Sequence, residues 1–317
     1  MITLRYPNDI EGCGTEPMPS CVLALGFFDG MHMAHRKLIS IARKRADELG
    51  ISLAVFTFPA ESDAIKSGKA RIYSTEKKLL LFEELGVDIV ILADFSLVRG
   101  ISAKDFVSDC IVKELNAEAV VCGYNFKFGK AAKGNASLLK AESEALGKEC
   151  IIIPKYSFGA TPLSSTIIKD ALREGNVELA ASELGLPFFI EGQVCHGDGR
   201  GAKLGIPTVN IDIAKQTELI KRGVYLTCAY VCGERYPAIT NVGICPTFEE
   251  REAHSETFIF NFSGNLYDEK IRIYFLSFLR AERCFESEKE LIMQIEVDKA
   301  EALKKYGEIK WQELGLS

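Results

Sequence analysis

Residues 26–39, GFFDGMHMAHRKLI, contain two glycines, an aspartate and two histidines in one short run. The chain has four histidines, and two of them, His32 and His35, are three residues apart. Positions i and i+3 share a face of a helix, and the free amides at a helix start favour an anion. Both imidazoles could therefore reach one phosphate group. They could also be metal ligands or ordinary surface side chains, and the spacing alone leaves these alternatives open.

A second candidate site lies in residues 196–210, HGDGRGAKLGIPTVN. Its glycines permit tight turns and a close approach of backbone amides to phosphate. Thr208 and Asn210 supply hydroxyl and amide oxygen atoms, which suit Mg2+. Further along, Glu256 begins the apolar run ETFIF, where a carboxylate could accept a proton. Taken alone, residues 196–210 are more simply explained as a loop with a proline turn, and Glu256 as a solvated strand end.

Two different patterns of elements must position these residues. Between Cys21 and about Ala180, short apolar runs alternate with helical patterns, which indicates a parallel α/β sheet with crossover helices. The first site would follow the first strand, where open parallel sheets bind ligands. After about Leu184, strand-like runs precede one late helix, which predicts a small antiparallel β-barrel with a C-terminal helix. The predicted domains are residues 1–182 and 183–317.

Composition limits the classes of function. With 317 residues, of which 47% are hydrophobic, the chain is long enough for two domains with cores of their own. A net charge of −6 argues against nucleic acid as a partner, and the first apolar run is too short to span a membrane. The ten cysteines are scattered, and Cys122, Cys195 and Cys228 lie within apolar runs. This pattern predicts buried thiols in a reducing cytoplasm.

Four motifs in order resemble those of one family. Residues 26–39 resemble the G-x-F-D-G-x-H-x-G-H signature of the nucleotidyltransferase superfamily. Residues 123–135 and 164–175 resemble two motifs of bacterial FAD synthetases, and residues 184–211 resemble the start of their riboflavin kinase module. From about residue 18 to residue 307, the chain resembles the bacterial bifunctional riboflavin kinase and FAD synthetase. This resemblance implies that riboflavin is phosphorylated to FMN and that FMN is adenylylated to FAD, with ATP and Mg2+.

The resemblance also implies which residues act. His32 and His35 would contact the ATP phosphates during adenylyl transfer. The nucleotide or flavin of that reaction would lie against Gly26, Phe27, Asp29, Gly30, Asn125, Ser164, Ser165 and Thr166. In the kinase, Glu256 would be the catalytic base, and Arg280 would lie on the flavin or phosphate side. ATP would be bound by Gly197, Gly201, Lys203, Thr208 and Asn210, of which the last two would also hold the metal.

The sequence departs from the family pattern at two positions that bear on activity. Ala34 replaces the glycine between the two histidines, and Ile167 replaces the arginine that follows Ser-Ser-Thr. Isoleucine cannot supply the permanent charge or the forked donors of arginine. We therefore expect slow adenylyl transfer beside normal riboflavin phosphorylation. The alternatives are a riboflavin kinase with a vestigial first domain and a non-enzymatic regulator that binds flavin or nucleotide.

Overall fold

The structure is a computed structural model, and it divides into two compact units, Met1–Ser165 and Thr166–Ser317. It describes residues 1–10, 18–60, 70–155, 157–158, 161–195, 206–212, 219–244 and 253–314. The domain boundary expected between residues 182 and 183 stays a prediction. Across the described ranges, no helix has both the length and the apolar character needed to cross a membrane.

A parallel sheet forms the first unit. Its described strands are β1 (Ile2–Tyr6), β2 (Cys21–Leu25), β3 (Ser52–Thr57), β4 (Ile89–Ala93), β5 (Ala117–Gly123), β6 (Lys127–Phe128), β7 (Gly134–Asn135), β8 (Glu149–Ile153), β9 (Ser157–Phe158) and β10 (Thr161–Pro162). Six of these strands pair in parallel in the order β1-β4-β3-β2-β5-β8. The chain moves to one side of β2 for β3 and β4 and to the other side for β5 and β8. The topological switch point therefore lies beside β2, where such sheets bind ligands.

Helices connect the strands of this sheet. They are α1 (Met33–Leu49), α2 (Thr75–Glu84), α3 (Phe95–Val98), α4 (Ala103–Asp105), which continues as a π-helical segment (Phe106–Glu114), and α5 (Ala136–Ala145). Gly50 ends α1 with a φ of +66°, and the Ser74 side chain caps α2 by accepting the amide of Lys77. Both boundaries use residues whose local geometry favours a helix end or a helix start.

All five residues of β2 are buried, because the sheet has apolar packing on both faces. Leu23, Leu25 and Ile91 belong to the core cluster of this unit. The strand β1 was not predicted. It lies at the edge of the sheet, and only its last residue, Tyr6, is buried, so its sequence lacks a strong apolar pattern.

The second unit contains a closed antiparallel barrel. The helix α6 (Ser165–Glu174) begins with the last residue of the first unit and continues into the second. The other elements of the second unit are α7 (Val177–Leu184), β11 (Phe189–Cys195), β12 (Val209–Asp212), β13 (Gly223–Val231), β14 (Glu234–Ile244), β15 (Ala253–Ile259), β16 (Lys270–Arg280) and α8 (Glu288–Gly307). Going around the barrel, the strand order is β11-β12-β15-β14-β13-β16. The predicted fold class, a parallel α/β sheet followed by an antiparallel barrel with a C-terminal helix, is confirmed.

Three threonine hydroxyls cross the interior of the barrel. The Oγ1 atom of Thr240 lies 2.9 Å from that of Thr227 and 2.9 Å from that of Thr257. All three residues are fully buried, and each hydroxyl is hydrogen-bonded to another hydroxyl of the three. No local pattern predicts this chain of hydroxyls, which links β13, β14 and β15.

The prediction of buried thiols is confirmed for Cys122 and Cys228 and is wrong for Cys195. Cys195 is the last residue of β11, directly after Val194, whose side chain faces the core. Successive side chains of a strand point to opposite faces, so Cys195 is exposed.

Candidate functional site

The turn between β2 and α1 is compact and conformationally restricted. Phe28, Gly30 and Met31 have φ angles of +51°, +81° and +48°, all in the left-handed region. A Cβ atom on Gly30 would lie 2.6 Å from Cδ1 of Ile72. The turn therefore packs directly onto Ile72, and Gly30 meets both a conformational and a steric requirement for glycine.

The two histidines of the motif are in contact at the start of α1. His32 is the N-cap, and its Nδ1 accepts the backbone amide of His35 at 3.4 Å. The two rings stack with their centroids 3.6 Å apart and their planes 12° apart. His32 is only 7% exposed, so the pair does not consist of ordinary surface side chains. Within the described ranges, Nδ1 of His35 is buried without a hydrogen-bond partner.

Burial controls the charge of both imidazoles. It lowers the pKa of His32 to about 4, although a hydrogen bond to its own backbone and the charge of Asp29 oppose this. Burial also lowers the pKa of His35 well below its usual value, and the nearby charges of His32 and Lys78 add to the effect. Both rings are therefore neutral near neutral pH. Because Nδ1 of His32 accepts a hydrogen bond, the proton of its neutral ring is on Nε2, which is left as a donor.

Asp29 holds the turn to the segment before α2. Its Oδ1 accepts the amide of Ile72 at 3.1 Å, and its Oδ2 lies 3.4 Å from NH1 of Arg71. Its backbone carbonyl accepts the hydroxyl of Ser165 at 2.9 Å. The structure thus brings together two residues predicted to belong to one site, Asp29 and Ser165. The carboxylate of Asp29 acts here on protein backbone and on Arg71.

The neighbouring site residues lie at the ends of β2 and β3. The amide of Gly26 donates to the carbonyl of Phe56 at 3.3 Å. The carbonyl of Phe27 accepts Nζ of Lys78 at 2.8 Å and Oγ1 of Thr57 at 3.2 Å. Lys78 is buried, and sequence reasoning missed it because a lysine near a helix start ordinarily indicates a solvated side chain.

The remaining residues predicted for this site are more exposed. Asn125 follows β5, which is the direct neighbour of β2, so it lies at the same edge of the sheet. Its side chain is exposed. Ser164 is half-buried and Thr166 is exposed, one on each side of Ser165. The predicted proximity of Asn125 to the histidine pair stays a prediction.

The barrel aligns three polar residues across neighbouring strands. Glu256 of β15 is the direct partner of Asn210 on β12 and of Asn241 on β14. Directly paired residues of antiparallel strands project to the same face, so these side chains form one row. Thr208 lies just before β12. Sequence reasoning missed Asn241, because only the strand register reveals that it flanks Glu256. Gly197, Gly201 and Lys203 lie outside the described residues.

Arg280, predicted to lie on the flavin or phosphate side, pairs with the C-terminal helix. Its Nε lies 3.0 Å from both carboxylate oxygens of Asp298, and its NH2 lies 2.7 Å from one of them. Asp298 is buried and also accepts Nε2 of Gln294 at 2.6 Å. A role of Arg280 toward substrate stays a prediction, since its observed partner is Asp298.

Two family models match two consecutive parts of the chain. The family model for FAD synthetase matches residues 15–167, and the family model for riboflavin kinase matches residues 184–306. The bifunctional riboflavin kinase/FMN adenylyltransferase of Bacillus subtilis is 36% identical over 304 residues, covering 93% of this chain and 95% of that protein. The protein of the same name from Escherichia coli K12 is 31% identical over 309 residues, covering 96% and 98%. The chain belongs to the family of bifunctional riboflavin kinase/FMN adenylyltransferases.

A solved structure also matches most of the chain. The crystal structure of a macrolide-efflux protein from Streptococcus pneumoniae superposes with a TM-score of 0.81 at 30% identity. The match covers 95% of this chain and 98% of that one. It supports the fold described above.

Proposed function

We propose that this chain phosphorylates riboflavin to FMN with ATP and then transfers the AMP group of a second ATP to FMN, which yields FAD and pyrophosphate. The observation that carries the proposal is that one chain contains both groups of residues that the two reactions would need. Glu256 and Asn210 share a face of the barrel, and His32 and His35 stack at the start of α1.

In the kinase reaction, the carboxylate of Glu256 would accept the proton of the riboflavin 5'-hydroxyl as its oxygen attacks the γ-phosphorus of ATP. ADP is the leaving group. Gly197, Gly201 and Lys203 would cradle the phosphates. Arg280, which Asp298 of α8 holds in place, would lie on the flavin or phosphate side of the kinase site.

Thr208 and Asn210 would hold Mg2+, which when bound neutralises negative charge on the ATP phosphates. Their hydroxyl and amide oxygens are hard donors, which fits this ion. Asn210 also pairs directly with Glu256, so the proposed metal ligand and the proposed base lie in one row.

In adenylyl transfer, a phosphate oxygen of FMN would attack the α-phosphorus of ATP in line, and pyrophosphate would leave without a covalent enzyme intermediate. The Nε2–H of His32, a nitrogen of His35 and the amides at the start of α1 would donate to the phosphates. The turn formed by Gly26, Phe27 and Gly30 would let the nucleotide approach the backbone. The adjoining surface for nucleotide or flavin would comprise Asp29, Asn125, Ser164, Ser165 and Thr166.

We further propose that residues 1–182 carry the adenylyl transfer and residues 183–317 the kinase reaction. The protein would act in the cytoplasm on small molecules, without nucleic acid as a partner. The net charge of −6 and the buried thiols of Cys122 and Cys228 support this setting.

The direct test is incubation of the protein with riboflavin, ATP and Mg2+, followed by chromatographic separation of the flavins over time. FMN should form first, and FAD should follow more slowly because Ile167 replaces an arginine. Formation of FMN alone would favour the kinase with a vestigial first domain. Failure to form FMN would contradict the proposal and favour a non-enzymatic regulator.

A further inference from the structure

Lys78 is a buried lysine beside the histidine turn. It lies near the start of α2 and is 4% exposed. Its Nζ donates to the carbonyl of Phe27 at 2.8 Å, the carbonyl of Phe58 at 2.9 Å and the hydroxyl of Thr57 at 3.2 Å. An ammonium has three donors, and these oxygens match them in number. Since burying a charge is costly unless such bonds compensate it, this placement requires an explanation.

The three oxygen atoms belong to two adjacent strand ends. Phe27 lies just beyond β2, while Thr57 ends β3 and Phe58 follows it. The hydroxyl of Thr57 also donates to the carbonyl of Phe27. Lys78 and Thr57 thus join the beginning of the histidine turn to the end of β3, at the edge of the sheet where ligands bind.

Aromatic contacts continue this connection to the second histidine. The ring of Phe28 meets the ring of His35 edge to face at a centroid distance of 5.2 Å, and that of Phe82 on α2 at 5.4 Å. Lys78 and Phe82 are four residues apart on α2. The same helix therefore supports the turn through a hydrogen-bonded ammonium and through an aromatic ring.

We propose that Lys78 is a positioning residue for adenylyl transfer, because its ammonium fixes the turn that carries His32 and His35 and places a positive charge close to His35. This inference rests on the function proposed above. Lys78 acts through Phe27 and His35 and has no assigned contact with a reacting atom. Its loss should therefore lower kcat for FAD formation more than it raises KM for ATP.

The charges around His35 give a second consequence. Burial is the main reason why the pKa of His35 is low, and the charges of His32 and then Lys78 lower it further. Asp29 is the acidic group of the turn, and its charge acts on His32 in the opposite direction. Removing the charge of Lys78 should therefore raise the pKa of His35, although burial would still hold it below the usual value.

The experiment compares Lys78→Met, Lys78→Arg and the control Lys44→Met, which removes a lysine whose side chain is 81% exposed. Lys78→Met should lower kcat for FAD formation from FMN and ATP by about tenfold or more, with a change in KM for ATP of less than about threefold. Lys44→Met should leave both unchanged. Riboflavin phosphorylation by the same samples is an internal control and should be unchanged in all three variants.

Selective labelling of the histidine rings provides a separate readout, since the chain has four histidines and His35→Asn identifies the signal of His35. The pKa of His35 should rise in Lys78→Met and stay low in Lys78→Arg. A folded Lys78→Met protein with wild-type kcat for FAD formation would overturn the proposal. So would an unchanged titration of His35.

If Lys78→Met does not fold, Lys78→Arg provides the test. A guanidinium cannot reproduce all three hydrogen bonds of the ammonium, so kcat for FAD formation should fall several-fold while the pKa of His35 stays low. A wild-type kcat for Lys78→Arg would overturn the proposal. If the wild-type chain makes no FAD, the adenylyl-transfer part of the proposed function fails. The titration of His35 in Lys78→Met or Lys78→Arg still tests the electrostatic effect of Lys78.

Discussion

Asn210 and Glu256 are direct partners across the antiparallel pair β12–β15, so their side chains project to the same face of the barrel. Asn241 flanks Glu256 on its other side. A carboxylate between two amide side chains can be held in one orientation while it stays beside Asn210, the proposed metal ligand. This arrangement suits a base that must be placed close to MgATP.

Replacing Glu256 with glutamine should remove the proton acceptor and preserve the size of the side chain. We expect kcat for riboflavin phosphorylation to fall by about 10²-fold or more, with riboflavin and ATP still bound. Steady-state kinetics and equilibrium binding of riboflavin would measure the two effects separately.

The matched control is Glu234→Gln, which changes an exposed glutamate at the start of β14. It should leave both activities unchanged. Asn210→Ala should behave differently from Glu256→Gln, because the loss of the proposed metal ligand should mainly raise KM for MgATP. A Glu256→Gln protein that phosphorylates riboflavin at the wild-type rate would contradict the assignment of the base.

Gly30→Ala should disturb the histidine turn. The new methyl group would collide with Ile72, and the alanine would have to adopt a left-handed φ. We therefore expect the first unit to lose about 1–3 kcal/mol of stability and FAD formation to slow. Gly50→Ala is the control, since Gly50 also has a positive φ but a Cβ there would meet nothing within 4 Å. Hydrogen exchange of the β2 amides would report stability. Equal effects of the two substitutions would show that the contact with Ile72 is unimportant.

The low pKa of His32 makes the first unit sensitive to acid. His32 stays neutral in the folded protein down to about pH 4, whereas the unfolded chain takes up a proton below its ordinary pKa of 6.5. Between these values the unfolded state binds more protons, so the free energy of unfolding falls as the pH falls, by about 3 kcal/mol over the whole window.

The variant His32→Asn tests this contribution, because asparagine can still cap α1 but does not titrate. Protection of the β2 amides should decrease less in His32→Asn than in the wild type between about pH 7 and pH 4.5. Titration of His32 with a pKa near 6.5 would contradict the expected burial of its ring.

Ile167→Arg should restore a cation that the family pattern contains at this position. A charge-assisted contact made in the transition state is worth on the order of 1.5 to 3 kcal/mol, so FAD formation should speed up by about ten- to a hundredfold. Riboflavin phosphorylation should be unchanged. If the natural protein already makes FAD as fast as FMN, another cation, such as Lys169 or Lys127, compensates for Ile167 and the inference fails.

Much of the fold was predictable because local signals agreed with the tertiary structure. Ser74 marked the start of α2 and Gly50 the end of α1, since a hydroxyl cap and a left-handed glycine act through short-range geometry. The continuous apolar run of β2 likewise indicated a strand covered on both faces. The edge strand β1 lacked such a signal, because most of its residues are exposed.

The parts of the site that depend on tertiary contacts were not predictable. The approach of Lys78 to Phe27 joins residues 51 positions apart, and nothing in the helical pattern of α2 indicates a buried ammonium. Asn241 became relevant only when the strand register placed it beside Glu256. The sequence motif did identify the histidine pair, but burial of the rings and its effect on their charge follow from packing around the turn.

The most direct measurement of the central claim uses ATP labelled at either its γ- or its α-phosphorus. With γ-labelled ATP, riboflavin and Mg2+, label should appear first in FMN and later in FAD, because the kinase transfers that phosphorus to the flavin. With α-labelled ATP, FAD should be the only flavin that carries label, because the kinase step leaves the α-phosphorus in ADP and adenylyl transfer releases unlabelled pyrophosphate. Absence of label from FMN in the first experiment, or from FAD in the second after prolonged incubation, would contradict the account of two consecutive transfers by one chain.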